Sequence, residues 1–160
     1  MDPKPVSASA SEFNHWVLPS DTNALGTIFG GRIMEWVDLG GAIVASRHCR
    51  KVAVTVSMDA LNFICPVNLG DIVILKAAVN YTHKTSMEIG IRIEAENALT
   101  GVRRHTASAY ITFVALDEKG IPTEVPPVLP ETEEEKRRFL AGRIRREQRI
   151  RLKSQLSGKA

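Results

Sequence analysis

The sequence predicts an α+β domain in which a sheet wraps one long helix and a helical tail follows. Apolar residues Ile33, Met34, Trp36, Val37, Leu39, Ile43 and Val44 cover most of a helical wheel, the pattern of a helix with protein on nearly all sides. Four strand-like segments then follow with no helix between them, which favours antiparallel pairing over a βαβ repeat. Beyond residues 122–130, rich in proline, the composition shifts to charged and helix-forming.

Residues 1–12 are polar, carry Pro3 and Pro5, and read as a disordered lead-in. The domain is expected over residues 13–126, opening with a short strand from Phe13 to Leu18. The stretch from Pro19 to Asn23 is a turn-rich loop ending near Gly26. Gly30 and Gly31 open the long helix, which runs to about His48. Gly40 and Gly41 inside it each cost about 1 kcal/mol relative to alanine, so a strand or a ligand is expected to approach closely there.

The strands are expected over residues 51–63, 71–81, 86–96 and 105–116. In the first, Val52, Val54, Val56 and Met58 share a face. In the third, Ile89, Ile91 and Ile93 alternate with Glu88, Arg92, Glu94 and Glu96. Residues 127–160 form a proline-rich linker that leaves the domain and a basic helical tail. Glu133–Arg137 and Glu134–Arg138 have the favourable i, i+4 order, and Phe139, Leu140 and Ile144 make a thin apolar stripe, enough to dock the helix but not to form a core. Its basic residues, among them Arg143, Arg145, Arg146, Arg149, Arg151 and Lys153, can hold a coenzyme A 3′-phosphate, touch a neighbouring subunit or simply be solvated, and solvation is expected for most of them.

The formal net charge of +3 is too small to name a partner. Cys49 and Cys65 form no CxxC and lie near no histidine cluster, so no metal site is expected and free thiols in a reducing compartment are. No signal peptide and no run of about 18 apolar residues appears, which predicts a cytoplasmic protein without membrane insertion. GxSxG, GxxxxGK[ST] and GxGxxG are absent, removing support for a nucleophile-elbow serine and for phosphate-loop or dinucleotide sites. His15, His48, His83 and His105 are scattered and read as structural.

Asp38 carries the most information, being an acid in the middle of the most apolar helix. A carboxylate there loses hydration and becomes a better base near neutral pH. Pairing with Arg32, or with a basic group of another chain, is the alternative. Gly30 and Gly31 stand where a helix start offers unpaired N–H groups and a positive dipole end, suited to an oxyanion. A plain glycine helix start explains them too. Asn23 can position a water or a carbonyl, or can simply form an Asx turn.

The stretch from Pro19 to Asp38 (PSDTNALGTIFGGRIMEWVD), continued by Gly40, Gly41 and Ala42, resembles the signature of the hotdog acyl-CoA hydrolases. Residues 57–67 (SMDALNFICPV) and the Gly70–Asp71 turn resemble the family's next segments. The resemblance spans residues 13–126. It implies a hotdog fold and an acyl-CoA thioesterase that needs no cofactor. Asp38 would be general base on a water, or else nucleophile, with Gly30 and Gly31 polarising the carbonyl and Asn23 orienting the reactants. Lys84, Thr85 and Ser86 would contact coenzyme A, with Asp59 also on the substrate side. Arg103 and Arg104 are weaker candidates. The family resemblance also implies a homo-oligomer, at minimum a dimer and typically a trimer of dimers. Its two-domain members divide the Asn and the Asp between domains, so Asn23 would face Asp38 of another subunit.

Two other functions fit the same fold. A non-catalytic acyl-CoA-binding regulator could signal through the basic tail, but no helix-turn-helix precedes the domain and no nucleic-acid partner is expected. A thioester hydratase or dehydratase usually needs a site histidine, and the central helix has none before His48.

Overall fold

The computed structural model describes residues 1–158. Its elements run β1 (Lys4–Pro5), β2 (Ser11–Trp16), α1 (Gly30–Cys49), β3 (Val52–Met58), β4 (Asp71–His83), β5 (Ser86–Asn97), β6 (Arg103–Leu116), β7 (Val128–Leu129) and α2 (Glu133–Leu156). Five strands form one antiparallel sheet in the order β2-β4-β5-β6-β3. The long helix and antiparallel sheet are therefore as the sequence predicts.

Alternation along β5 and β6 sets the core. Ile89, Ile91 and Ile93 lie opposite Ile111, Ala109 and Ala107, and all six are buried. The helix α1 packs on this face. A Cβ on Gly41 would come within 2.9 Å of the Phe113 ring, and one on Gly40 within 3.2 Å of the Phe13 ring. The close approach expected at this pair is thus made by aromatic rings from two strands.

Enclosure of α1 is incomplete, contrary to expectation. Met34, Leu39 and Ile43 are 45%, 56% and 41% exposed. A single five-stranded sheet covers one side of a helix, and these residues of the opposite side are left uncovered by the described residues of the chain. The edge strand β3 also departs from its expected pattern. Val52, Val54 and Val56 are exposed, while Thr55 pairs with Phe113 and Met58 with Ile111 on the helix side. A bulge between Thr55 and Ser57 inserts one residue and reverses the parity, so Met58 does not share the valine face. The strand also ends at Met58 rather than Phe63.

The ends of the chain need a larger correction. The lead-in is folded: β1 pairs in parallel with β7, and Val6 is buried. The Lys4 ammonium donates to the His48 carbonyl at 2.6 Å, and His48 Nε2 bonds the Pro126 carbonyl at 2.9 Å. The proline-rich segment does not leave the domain either, because Val125 and Val128 are buried in its core.

The helix α2 lies on the sheet face opposite α1. Thr132 caps it through a reciprocal box with Glu135. Gly142 lets it close in, since a Cβ there would meet Tyr81 Cβ at 2.8 Å. Glu88, on the polar side of β5, is only 3% exposed. Arg145 Nη2 reaches it at 2.7 Å and Arg149 Nη1 at 3.3 Å. Arg145 also stacks over Tyr110, 3.6 Å from the ring centroid. Arg145 and Arg149 are therefore docking residues, not solvated charge. Among the described residues no helix is long and apolar enough to cross a membrane.

Candidate active site

Asp38 sits on the open side of α1, half-buried, beside the edge strand. Thr55 Oγ1 donates to Asp38 Oδ1 at 2.6 Å, leaving Oδ2 for another partner. Plain alternation along β3 allows this, for Ala53 and Thr55 face the helix side opposite the exposed Val52 and Val54, ahead of the bulge. Arg32 is committed elsewhere, to Asp21 at 2.9 Å and Glu35 at 2.6 Å, so it is not the partner of Asp38.

The helix start is bare. Phe29 stands at the cap position without a side-chain hydrogen bond to the first turn, and Gly30 and Gly31 supply first-turn N–H groups without intrahelical acceptors. No side chain rises from either glycine; the Phe29 ring lies against Gly31, where a Cβ would come within 2.8 Å of it, while Gly30 borders open space beside Phe63. A pocket of about 400 Å³ adjoins this turn, lined by Thr27, Ile28, Gly30 and the 63–67 segment.

Asn23 lies exposed in the loop before α1. Its Oδ1 accepts from the Leu25 N–H at 2.9 Å, the Asx-turn geometry, and its Nδ2 donates to Thr27 Oγ1 at 2.9 Å. None of these bonds reaches Asp38 of the same chain.

Lys84 caps the β4–β5 turn with φ +48°, a left-handed conformation, and points into solvent. The tip is stitched down from behind: the Thr85 carbonyl accepts from Ala115 N–H and the Lys84 carbonyl from Val125 N–H. Ser86 lines a separate cleft of about 690 Å³ between the sheet's outer face and the last turns of α2. Asp59 is ion-paired with Arg149 at 2.8 Å. Arg103 pairs with Glu96 and Arg104 with buried Asp71, which gives both a structural role.

Reading the sequence missed Thr55 and the Glu88–Arg145–Arg149 cluster. A lone threonine among valines is a weak signal for the first. The second spans about sixty residues, and no local pattern announces it.

Residues 25–102 match the model of the thioesterase superfamily. An uncharacterized acyl-CoA thioester hydrolase of Bacillus subtilis is 44% identical over 74% of this chain and 69% of its own length. The chain belongs to the hotdog-fold acyl-CoA thioesterases. The cytosolic acyl coenzyme A thioester hydrolase of Rattus norvegicus is 38% identical over 90% of this chain, which spans 38% of that protein's length. Among solved structures of this family, an apo-hexameric acyl-CoA thioesterase superposes with a TM-score of 0.93 at 40% identity, covering 96% of this chain and 99% of its own. The Staphylococcus aureus acyl-CoA hydrolase, solved with butyryl coenzyme A and coenzyme A, gives 0.87 at 36% identity, covering 96% and 95%. Variants of that enzyme with an asparagine, an aspartate or a threonine changed to alanine have been solved, and the three positions have the sequence spacing of Asn23, Asp38 and Thr55.

Proposed function

We propose that this chain hydrolyses acyl-CoA to a free carboxylic acid and coenzyme A, acting in the cytoplasm as a homo-oligomer and without a cofactor. The observation that carries this reading is the Asp38–Thr55 hydrogen bond on a helix side left open within one chain. Thr55 fixes one carboxylate oxygen, and Oδ2 takes a proton from water. The resulting hydroxide attacks the thioester carbonyl, and the negative charge on its oxygen is received by the N–H groups of Gly30 and Gly31. The C–S bond then breaks, and the thiolate leaves with the proton held by Asp38.

A second subunit supplies what one chain lacks. It covers Met34, Leu39 and Ile43, removes water from around Asp38, and brings its own Asn23 to the reacting groups. The hexamer described for the relative above is the assembly we assign to this chain. Lys84, Thr85 and Ser86 meet the coenzyme A portion, with Asp59 nearby.

The direct test is Asp38→Ala, read by release of free thiol from acyl-CoA. Loss of a general base lowers turnover by about 10²- to 10⁴-fold, so the folded variant should be nearly inert. Near-wild-type turnover by that variant would sink the mechanism. Binding of acyl-CoA by the wild-type protein without thiol release would favour a regulator instead.

A further inference from the structure

The cleft between α2 and the sheet carries an inference that rests on the thioesterase reading and extends it. Its floor is apolar, with Val56 and Val114 from the sheet and Ile150 and Leu156 from the helix among its lining residues. At about 690 Å³ it has room for a drug-sized ligand. Ser86 lines it from the start of β5, and Arg146, Arg149 and Lys153 line it from α2.

These three cations are not equivalent. Arg149 is bound between Asp59 and Glu88 and is neutralised by them. Arg146 and Lys153 have no ion pair with another described residue, so their charge is available. Lys84 stands in the turn just before Ser86 and has no ion pair either among the described residues. His83, at the end of β4, registers the convergence: burial first, then the charges of Arg146 and Lys84, push its pKa below 6.5. A cluster of cations beside an apolar cleft suits a ligand with several anionic groups on a partly apolar body.

The cleft and the acid lie on the two faces of one edge strand. Thr55, which holds Asp38, is followed directly by Val56 and Ser57, which line the cleft. One edge strand thus borders both the acid and the cationic cleft.

We infer that the last turns of α2 form the second wall of the coenzyme A site, with Arg146 and Lys153 receiving phosphates of the nucleotide end. The helical tail is then part of the substrate site in this chain. Because these contacts lie far from the thioester, they act on binding of the carrier and not on the bond that breaks.

The test holds the acyl group constant and changes the carrier. Acyl-CoA is compared with the same acyl group on pantetheine, which lacks the nucleotide and its phosphates. In the double variant Arg146→Ala/Lys153→Ala of the full chain, KM for acyl-CoA should rise about tenfold relative to KM for acyl-pantetheine, the scale expected for two exposed charge contacts. The salt dependence of KM for acyl-CoA should flatten as well. Arg146→Lys with Lys153→Arg, which keeps both charges, should restore most of the difference. The inference is overturned if the KM ratio of the two substrates stays at its wild-type value, or if both KM values rise together. Failure of the wild-type protein to hydrolyse either thioester would instead refute the thioesterase reading.

Discussion

Thr55 shows how much a single hydroxyl contributes at this site. Its bond to the Asp38 carboxylate is short, at 2.6 Å, and involves a charged acceptor, the stronger class of hydrogen bond. Thr55→Val keeps the shape of the side chain and removes that bond. Turnover should fall roughly tenfold or more while KM changes little, because the acid is misplaced and not the substrate. Steady-state kinetics on acyl-CoA decide this, and an unchanged kcat would remove Thr55 from the site. His48 poses a question of stability. Fully buried and bonded to the Pro126 carbonyl, it has a pKa below 6.5, chiefly through burial. A group with a depressed folded pKa stays neutral while its unfolded counterpart takes up a proton. Its contribution is therefore whole above the unfolded pKa and is lost as pH falls below it. His48→Gln removes that titration. Its thermal midpoint should decline less steeply than the wild-type midpoint between about pH 7 and about pH 5. Parallel declines would show that His48 does not contribute.

At the scale of elements, α2 is held by the Glu88 ion pairs together with the packing of Phe139 on Tyr81. Arg145 is the main partner of a carboxylate that is almost fully buried, and removing one member of such a pair typically costs about 3 kcal/mol or more. Arg145→Ala should lower the unfolding free energy by about that amount in chemical denaturation. A loss below about 0.5 kcal/mol would mean that Arg149 alone satisfies Glu88. The sequence made the individual elements legible, since β5 and α1 declare themselves by period and by apolar content. The docking of α2 was legible only in its thin apolar stripe, whose Phe139 packs on Tyr81; the charged part was not, because Glu88 reads as the solvent side of an alternating strand until something is laid over it. The bulge at Val56 was hidden for a related reason. A run of valines looks like a regular face, and only pairing with β6 shows the extra residue. Asp38, Gly30 and Gly31 stood out by type and position, whereas Thr55, one hydroxyl on the face opposite a run of valines, carried no signal of its own. The N-terminal strand was missed because a two-residue pairing across more than 120 positions leaves no periodic signal.

For the whole molecule, Met34, Leu39 and Ile43 on the open side of α1 and the valines of β3 are exposed apolar side chains beside the candidate site, the kind of surface another subunit covers. Two inactive proteins, Asn23→Ala and Asp38→Ala, provide the sharpest check on how subunits share a site. If each site takes Asn23 from one chain and Asp38 from the other, mixed dimers made by co-expression hold one intact site, and activity returns to about half of wild type per dimer. Mixed dimers as inert as their parents would place both residues on one chain. The exposed stripe also has a kinetic consequence. If the reacting groups come from two copies, velocity depends on how many copies are associated at a given moment. Specific activity should then hold constant at high protein concentration, drop upon dilution past the dissociation constant, and recover only after a delay when the sample is concentrated again.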